Sequence, residues 1–271
     1  MIGTKDLIDI YITTYQRPSL LDACLKSVFK AIDRSAFKHR VVVLSDDTDE
    51  PTLQVLRPYL SKIFLISNPL QMGLPFTFNL IHDFSNNLIG RTNKRPKLIC
   101  YLQDDTVLEY PEVYFTKIME VSKILPKEKM GFVSGYYTPI HPGFEKIRKD
   151  GITIVKSDTI DGKNIIGTPE LFESVGKLSW KYWGLKRGNP GKYIGSGFDL
   201  WQWRDSPTST QKQGRTNLII PGLVKHTGSG KSTWGNESDT EEKTLERVEK
   251  GKIYVTSKSY PVVSEAEYFQ G

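Results

Sequence analysis

The stretch Lys97-Leu98-Ile99-Cys100-Tyr101-Leu102-Gln103-Asp104-Asp105-Thr106 decides the fold. Leu98 to Leu102 are all apolar or aromatic, without Gly or Pro, and follow the loop signal Asn93-Lys94-Arg95-Pro96. Such a run reads as a buried strand with neighbours on both sides. The chain then turns acidic at Asp104 and Asp105. In open α/β sheets, ligands sit beyond the carboxyl ends of the strands. Hard carboxylates there suit Mg²⁺ or Mn²⁺, which take oxygen ligands and bridge to phosphates. An isolated Asp-Asp pair is more commonly a solvated turn, so its meaning depends on the flanking sequence.

Upstream, strands alternate with helices. Leu7–Thr13 reads as a strand, and Pro18 opens a helix with apolar residues at Leu20, Leu21, Cys24, Leu25, Val28 and Phe29. Arg40–Leu44 is a second strand, ending in Ser45-Asp46-Asp47-Thr48-Asp49. A short helix spans Pro51 to Tyr59, a third strand Lys62 to Ser67, and another helix runs from Gly73 through Phe84. This alternation predicts a mainly parallel sheet with helices on both faces.

Downstream, the pattern loosens. A helix is expected over Pro111–Ile124, a strand over Gly131–Tyr137, and a loop-rich region over His141–Asp161 with a hairpin at Asp150-Gly151. Pro169–Val175 reads as a short helix ended by Gly176, Phe198–Trp203 as helical, and Leu218–Val224 as an interrupted strand. Thr240–Lys250 predicts a charged helix, capped by Ser238 or Asp239 and stopped by Gly251. The expected organisation is an orderly α/β half over residues 1–107, an aromatic, glycine-punctuated half over 108–235, and a charged tail over 236–271. Glu265–Gly271 resembles a protease-site tag remnant and is left out of fold reasoning.

Composition bounds the rest. The 271 residues are enough for one large domain or two small ones. Cys24 and Cys100 both lie in apolar segments, which predicts reduced core residues. No signal peptide precedes the first strand and no apolar run reaches membrane-spanning length, so a cytoplasmic protein is expected, with peripheral membrane association still open. The net charge of +6 favours anionic partners.

Three strands in the first half end in residues suited to a nucleotide. Tyr15 would pack on a base, Asp46 or Asp47 would read a pyrimidine or ribose, and Asp104 and Asp105 would hold a metal on a diphosphate. Here the chain resembles the family 2 glycosyltransferases with the GT-A fold. The likeness rests on Ile10-Tyr-Ile-Thr-Thr-Tyr-Gln-Arg-Pro18, Val42-Val-Leu-Ser-Asp-Asp-Thr-Asp49 and Leu102-Gln-Asp-Asp105. Gly73 with Asn79, and Ile166-Gly167 through Val175-Gly176, extend it. The fold implied is an α/β GT-A domain: a Rossmann-like half with a mainly parallel sheet, fused to a smaller mixed acceptor half.

The resemblance implies that Thr13, Tyr15 and Asp46 or Asp47 hold the nucleotide of a nucleotide-sugar, with Arg17, Gly73, Asp104 and Lys231 expected in the same site. Asp105 and His226 would bind Mn²⁺ or Mg²⁺, Asp199 would be the catalytic base, and Trp183 and Trp201 would line the acceptor site. The implied activity is metal-dependent, inverting transfer from a UDP-sugar to a glycan or glycolipid hydroxyl. A hydroxylated base in DNA is the alternative acceptor, and an inactive nucleotide-sugar-binding module the alternative function. Three departures stand out: Gln103 replaces the first carboxylate of the usual Asp-x-Asp, Gln71 stands where Asn is usual, and Phe78 where Arg is frequent. Gly228-Ser-Gly-Lys-Ser-Thr233 imitates the end of a P-loop, but Lys225 occupies the position of its first glycine. A Gly/Ser loop closing Lys231 over a diphosphate is the better reading.

Overall fold

The computed structural model describes residues 6–46, 48–68, 77–85, 94–137, 143–177, 184–185, 193–194 and 207–228. β1 (Leu7–Thr14) is the pivot of a nine-stranded sheet. The chain leaves it through α1 (Pro18–Asp33), β2 (Lys38–Ser45), α2 (Glu50–Leu56) and β3 (Ile63–Ser67), which build outward on one side. A helix over 77–85 (α3) leads back, and β4 (Leu98–Gln103) adds to the other side of β1. The sheet order reverses between β1 and β4, and that is where such sheets open a crevice at their carboxyl edge.

The sheet continues through short elements. β5 (Thr106–Leu108) leaves it, α4 (Tyr114–Val121) covers it, and β6 (Met130–Ser134) rejoins it. β7 (Glu145–Lys149) and β8 (Ile152–Ser157) form the expected hairpin, β9 (Asn164–Gly167) inserts between β4 and β6, and α5 (Pro169–Val175) follows. β10 (Gly184–Leu185) and β11 (Tyr193–Ile194) pair with each other. β12 (Thr216–Ile219) joins the large sheet, and β13 (Val224–His226) pairs with β5 in a separate two-stranded ladder. The pairings leave only β8 and β9 running against the other strands of the large sheet.

Alternation within the central strands builds a core on each face. Ile8, Ile10 and Ile12 of β1 pack with Leu21, Cys24, Leu25 and Val28 of α1 and with Tyr114 and Ile118 of α4. Tyr11, Ile99 and Tyr101 face the other way, onto Phe78 and Ile81 of α3 and Phe172 and Val175 of α5. Phe78 is therefore core: its ring lies 4.9 Å from that of Tyr101, edge on. Both cysteines are free and buried, as expected, and burial pushes the Cys100 thiol up to about 12. Among the described residues no helix is long and apolar enough to cross a membrane.

Local chemistry fixes the element ends. Asp49 and Thr168 cap α2 and α5 through bonds from Thr52 N (3.0 Å) and Leu171 N (3.2 Å). Asp150 and Gly151 both have positive φ, 50° and 76°, which suits the two-residue turn of the β7–β8 hairpin. Three expectations need correction. The helix expected from Pro111 begins only at Tyr114, after a turn. The single interrupted strand is two strands in different sheets, separated by a turn in which Gly222 has φ 85°. The region read as loop-rich is mostly hairpin.

Asn164 ties β9 to its surroundings. Its side chain is buried; Oδ1 accepts from Gly135 N at 2.7 Å, and Nδ2 donates to Tyr101 O at 3.2 Å and to the Tyr114 hydroxyl at 3.0 Å. A buried donor stripped of its acceptor costs roughly 1–3 kcal/mol. Asn164→Leu takes the acceptor from Gly135 N–H and adds apolar bulk, so it is expected to destabilise the fold by roughly 2–4 kcal/mol. Urea unfolding checks this: the midpoint should fall at unchanged slope, and an unchanged midpoint would show that Asn164 does not tie β9 in place.

Candidate functional site

The site is built where β1 and β4 end. Asp104 N donates to Thr13 O at 3.0 Å, and Asp46 N to Thr14 O at 2.9 Å, so the three strand ends are held in register. After β1, Gln16 takes a left-handed φ of 47°, rare for a residue with a side chain. That turn sends the chain back towards β4, and Pro18 then starts α1. Arg17, caught between the two, bridges both carboxylates. Its Nε and Nη2 donate to Asp104, and its Nη1 donates to Asp105 Oδ2 at 2.9 Å.

The two aspartates have different environments. Asp104 is fully buried, and besides Arg17 it accepts from the Thr14 hydroxyl at 2.6 Å. Burial raises its pKa, with Arg17 opposing and neighbouring Asp105 reinforcing. Asp105 is also penalised by burial, but the hydrogen bond from His226 and the charges of Arg17, His226 and Lys163 outweigh it. They hold its carboxyl below the ordinary range. Its Oδ2 lies 3.3 Å from His226 Nε2, while its Oδ1 is buried with no hydrogen-bond partner among the described residues.

His226 arrives from more than a hundred residues away because β13 pairs with β5, with His226 opposite Thr106. Thr227 seals the junction: its N and its hydroxyl both donate to Asp105 O, at 2.7 and 3.0 Å. Gly228 then presses its backbone against the pair. A Cβ there would lie 2.7 Å from Asp105 Cβ and 2.8 Å from its Oδ2, closer than real Cβ contacts allow, and 3.0 Å from His226 Nε2, a tight contact.

These features fit a divalent cation. Among the described residues Asp105 offers an oxygen without a hydrogen-bond partner and His226 an imidazole nitrogen, and Gly228, lacking a Cβ, lets the backbone lie against them. Among the described residues no three His, Cys, Asp or Glu side chains cluster around one point. A cation held by this pair would complete its shell from elsewhere, as Mg²⁺ and Mn²⁺ do with diphosphate oxygens and water.

The other expected residues fall around this corner or outside the described chain. The Thr13 hydroxyl is buried on that of Tyr101, 3.0 Å away, so Thr13 presents backbone at the site. Tyr15 is half-buried just beyond β1. Asp46 is buried at the end of β2, where its Oδ1 accepts from Asn68 Nδ2 at 3.2 Å. Asp47, Gly73, Trp183, Asp199, Trp201 and Lys231 lie outside the described residues. Gln103, the departure from the usual carboxylate, has a local reason. Its Nε2 donates to Gly162 O at 3.4 Å, where an aspartate would set a carboxylate against a carbonyl.

Sequence reasoning missed the parts of Thr14, Asn68, Tyr136 and Lys163, and read Gly228 only as the start of a Gly/Ser loop. The Tyr136 ring lies 6.2 Å from that of His226, and Lys163 reaches over Tyr136 from the start of β9. Only the strand register brings these together, and no local motif signals it.

No family model matches the chain, and no curated protein matches it. Solved structures do. The mannosyltransferase PcManGT from Pyrobaculum calidifontis, in complex with GDP-Man and Mn²⁺, aligns with a TM-score of 0.54 at 14% identity. The alignment covers 84% of this chain and 58% of that one. S. aureus TarS aligns over 82% of this chain and 37% of its own, at 11% identity and a TM-score of 0.48, too low to carry an argument. The chain thus spans little more than half of the mannosyltransferase chain it resembles, and it has a GT-A-like glycosyltransferase fold.

The Arg17 bridge makes a direct prediction. Removing one partner of a buried ion pair leaves an uncompensated charge and costs about 3–5 kcal/mol. Arg17→Met should therefore lower unfolding free energy by about 3 kcal/mol at neutral pH, and Asp104→Asn in that background should restore part of the loss. If the two changes simply add, Arg17 and Asp104 are not energetically coupled.

Proposed function

We propose that the chain is a metal-dependent glycosyltransferase that uses a nucleotide-diphospho-sugar. The observation that carries this is the Asp105–His226 corner, with a buried carboxylate oxygen lacking a hydrogen-bond partner among the described residues, at the switch point of a GT-A-like sheet. Asp105 and His226 would hold Mn²⁺ or Mg²⁺. When bound, the cation would neutralise charge on the leaving diphosphate. Asp46 and Tyr15, at the ends of β2 and β1, would form the base pocket together with Asp47 and Gly73. Arg17 and Asp104 shape the floor, and Lys231, beyond Gly228, would close over the phosphates.

The transfer we propose inverts the anomeric centre. An acceptor hydroxyl attacks the anomeric carbon, the bond to the diphosphate oxygen breaks, and the hydroxyl proton passes to Asp199. Its setting, Gly195-Ser-Gly197-Phe198-Asp199, supports that role, since paired glycines let backbone approach a substrate closely. Trp183 and Trp201 would face the acceptor, a glycan or glycolipid, and the division into donor and acceptor halves near residue 107 follows. UDP is the nucleotide that the sequence resemblance favours. The structural neighbour was solved with GDP-Man, so both sugar series belong in the test.

A panel of UDP- and GDP-sugars, read by thermal shift with and without Mn²⁺, tests the reading. A ligand that binds only the folded state raises its melting temperature by mass action. At least one sugar should stabilise the protein in a Mn²⁺-dependent way, and Asp105→Asn should abolish that stabilisation while keeping the fold. Equal Mn²⁺-dependent stabilisation of the Asn variant would refute the metal corner.

A further inference from the structure

Lys163 is a half-buried lysine at the edge of the site. Its side chain is only 24% exposed, although lysine is among the least buried of residues. It stands just before β9, the strand that runs against β4, so its position faces the carboxyl end of β4. Gln103 N donates to Lys163 O at 3.0 Å, which fixes that backbone beside the two aspartates. The ammonium lies 3.3 Å from both oxygens of Asp161 and 5.3 Å over the ring of Tyr136. Tyr136 in turn packs near His226, which contacts Asp105. A surface ion pair between residues two apart would leave its ammonium in water. This one is folded inward, over an aromatic face, along the row that ends in the metal corner.

We propose that Lys163 is a second cation of the site, an ammonium that binds the diphosphate of the nucleotide donor from the β9 side of β4, as Arg17 lies on the β1 side. The proposal rests on the donor reading above and names a residue for it. Asp161 and Tyr136 hold the ammonium partly desolvated and fixed in place, so little ordering remains when an anion arrives. Its contacts with Asp161 are long, 3.3 Å to each oxygen, and an incoming phosphate oxygen would take over one of the ammonium's donors. Asp161 Oδ1 also accepts from Lys163 N at 2.9 Å, which makes it a positioning residue for the lysine.

The test is titration calorimetry on the full chain with saturating Mn²⁺, comparing UDP with UMP and GDP with GMP. A charge-assisted hydrogen bond to phosphate corresponds to about 10- to 100-fold in affinity. Lys163→Met should weaken whichever diphosphate the wild-type protein binds by about that factor and leave the monophosphate nearly unchanged, and Lys163→Arg should restore most of the difference. Lys163→Gln makes the same comparison if the methionine variant does not fold. Diphosphate affinity equal to wild type in the variant overturns the assignment of Lys163 alone. Equal loss of mono- and diphosphate also overturns it, because the role would then be structural. A wild-type protein that binds neither diphosphate overturns the donor reading itself, and the proposal with it.

Discussion

Two adjacent carboxylates buried at the end of one strand repel each other and lose hydration, and the structure is arranged around that conflict. Arg17 resolves most of it, with donors on Asp104 and on Asp105. Its placement needs β1 beside β4, the left-handed turn at Gln16, and a helix that starts at Pro18. Such pairs contribute little net stability compared with apolar packing, but losing one partner is costly. A charge arrangement of this kind, at the carboxyl edge where the donor site is proposed, supports that reading.

The division of labour follows from the partners. Asp104 has Arg17 and Thr14 on it and serves as the anchor. Asp105 shares its Oδ2 between Arg17 and His226, and its Oδ1 has no hydrogen-bond partner among the described residues. The short β5–β13 ladder sets His226 in place, and the reversed strand β9 brings Lys163 and Gly162 to the same edge. Parts distant in sequence therefore meet at one corner, while the parallel strands behind them supply rigidity.

Much of the sheet was legible in the sequence. The run Leu98–Leu102 announced a buried strand because both of its faces are covered. Pro169 to Gly176 announced a helix because Pro, a Thr cap and a terminal Gly each have one local meaning. Asp150-Gly151 announced a hairpin because few pairs tolerate positive φ twice. β5 and β9 were not legible: they are three and four residues long, and β9 begins with a polar residue, Asn164, whose bonds are all tertiary. At the site, Asp104 and Asp105 stood out as an acidic strand end, whereas pairing His226 with Asp105 came from family resemblance. Lys163 and Asn68 gave no signal of a role at the site, since their places there depend on register between strands.

Pulsed electron paramagnetic resonance of Mn²⁺ bound to the protein with UDP, or with GDP if that is the nucleotide bound, examines the central claim at the metal itself. The account predicts hyperfine coupling to phosphorus from the diphosphate and to one imidazole nitrogen, with the nitrogen signal lost in His226→Gln. A Mn²⁺–nucleotide complex coupled to phosphorus but to no nitrogen in the wild-type protein would contradict it.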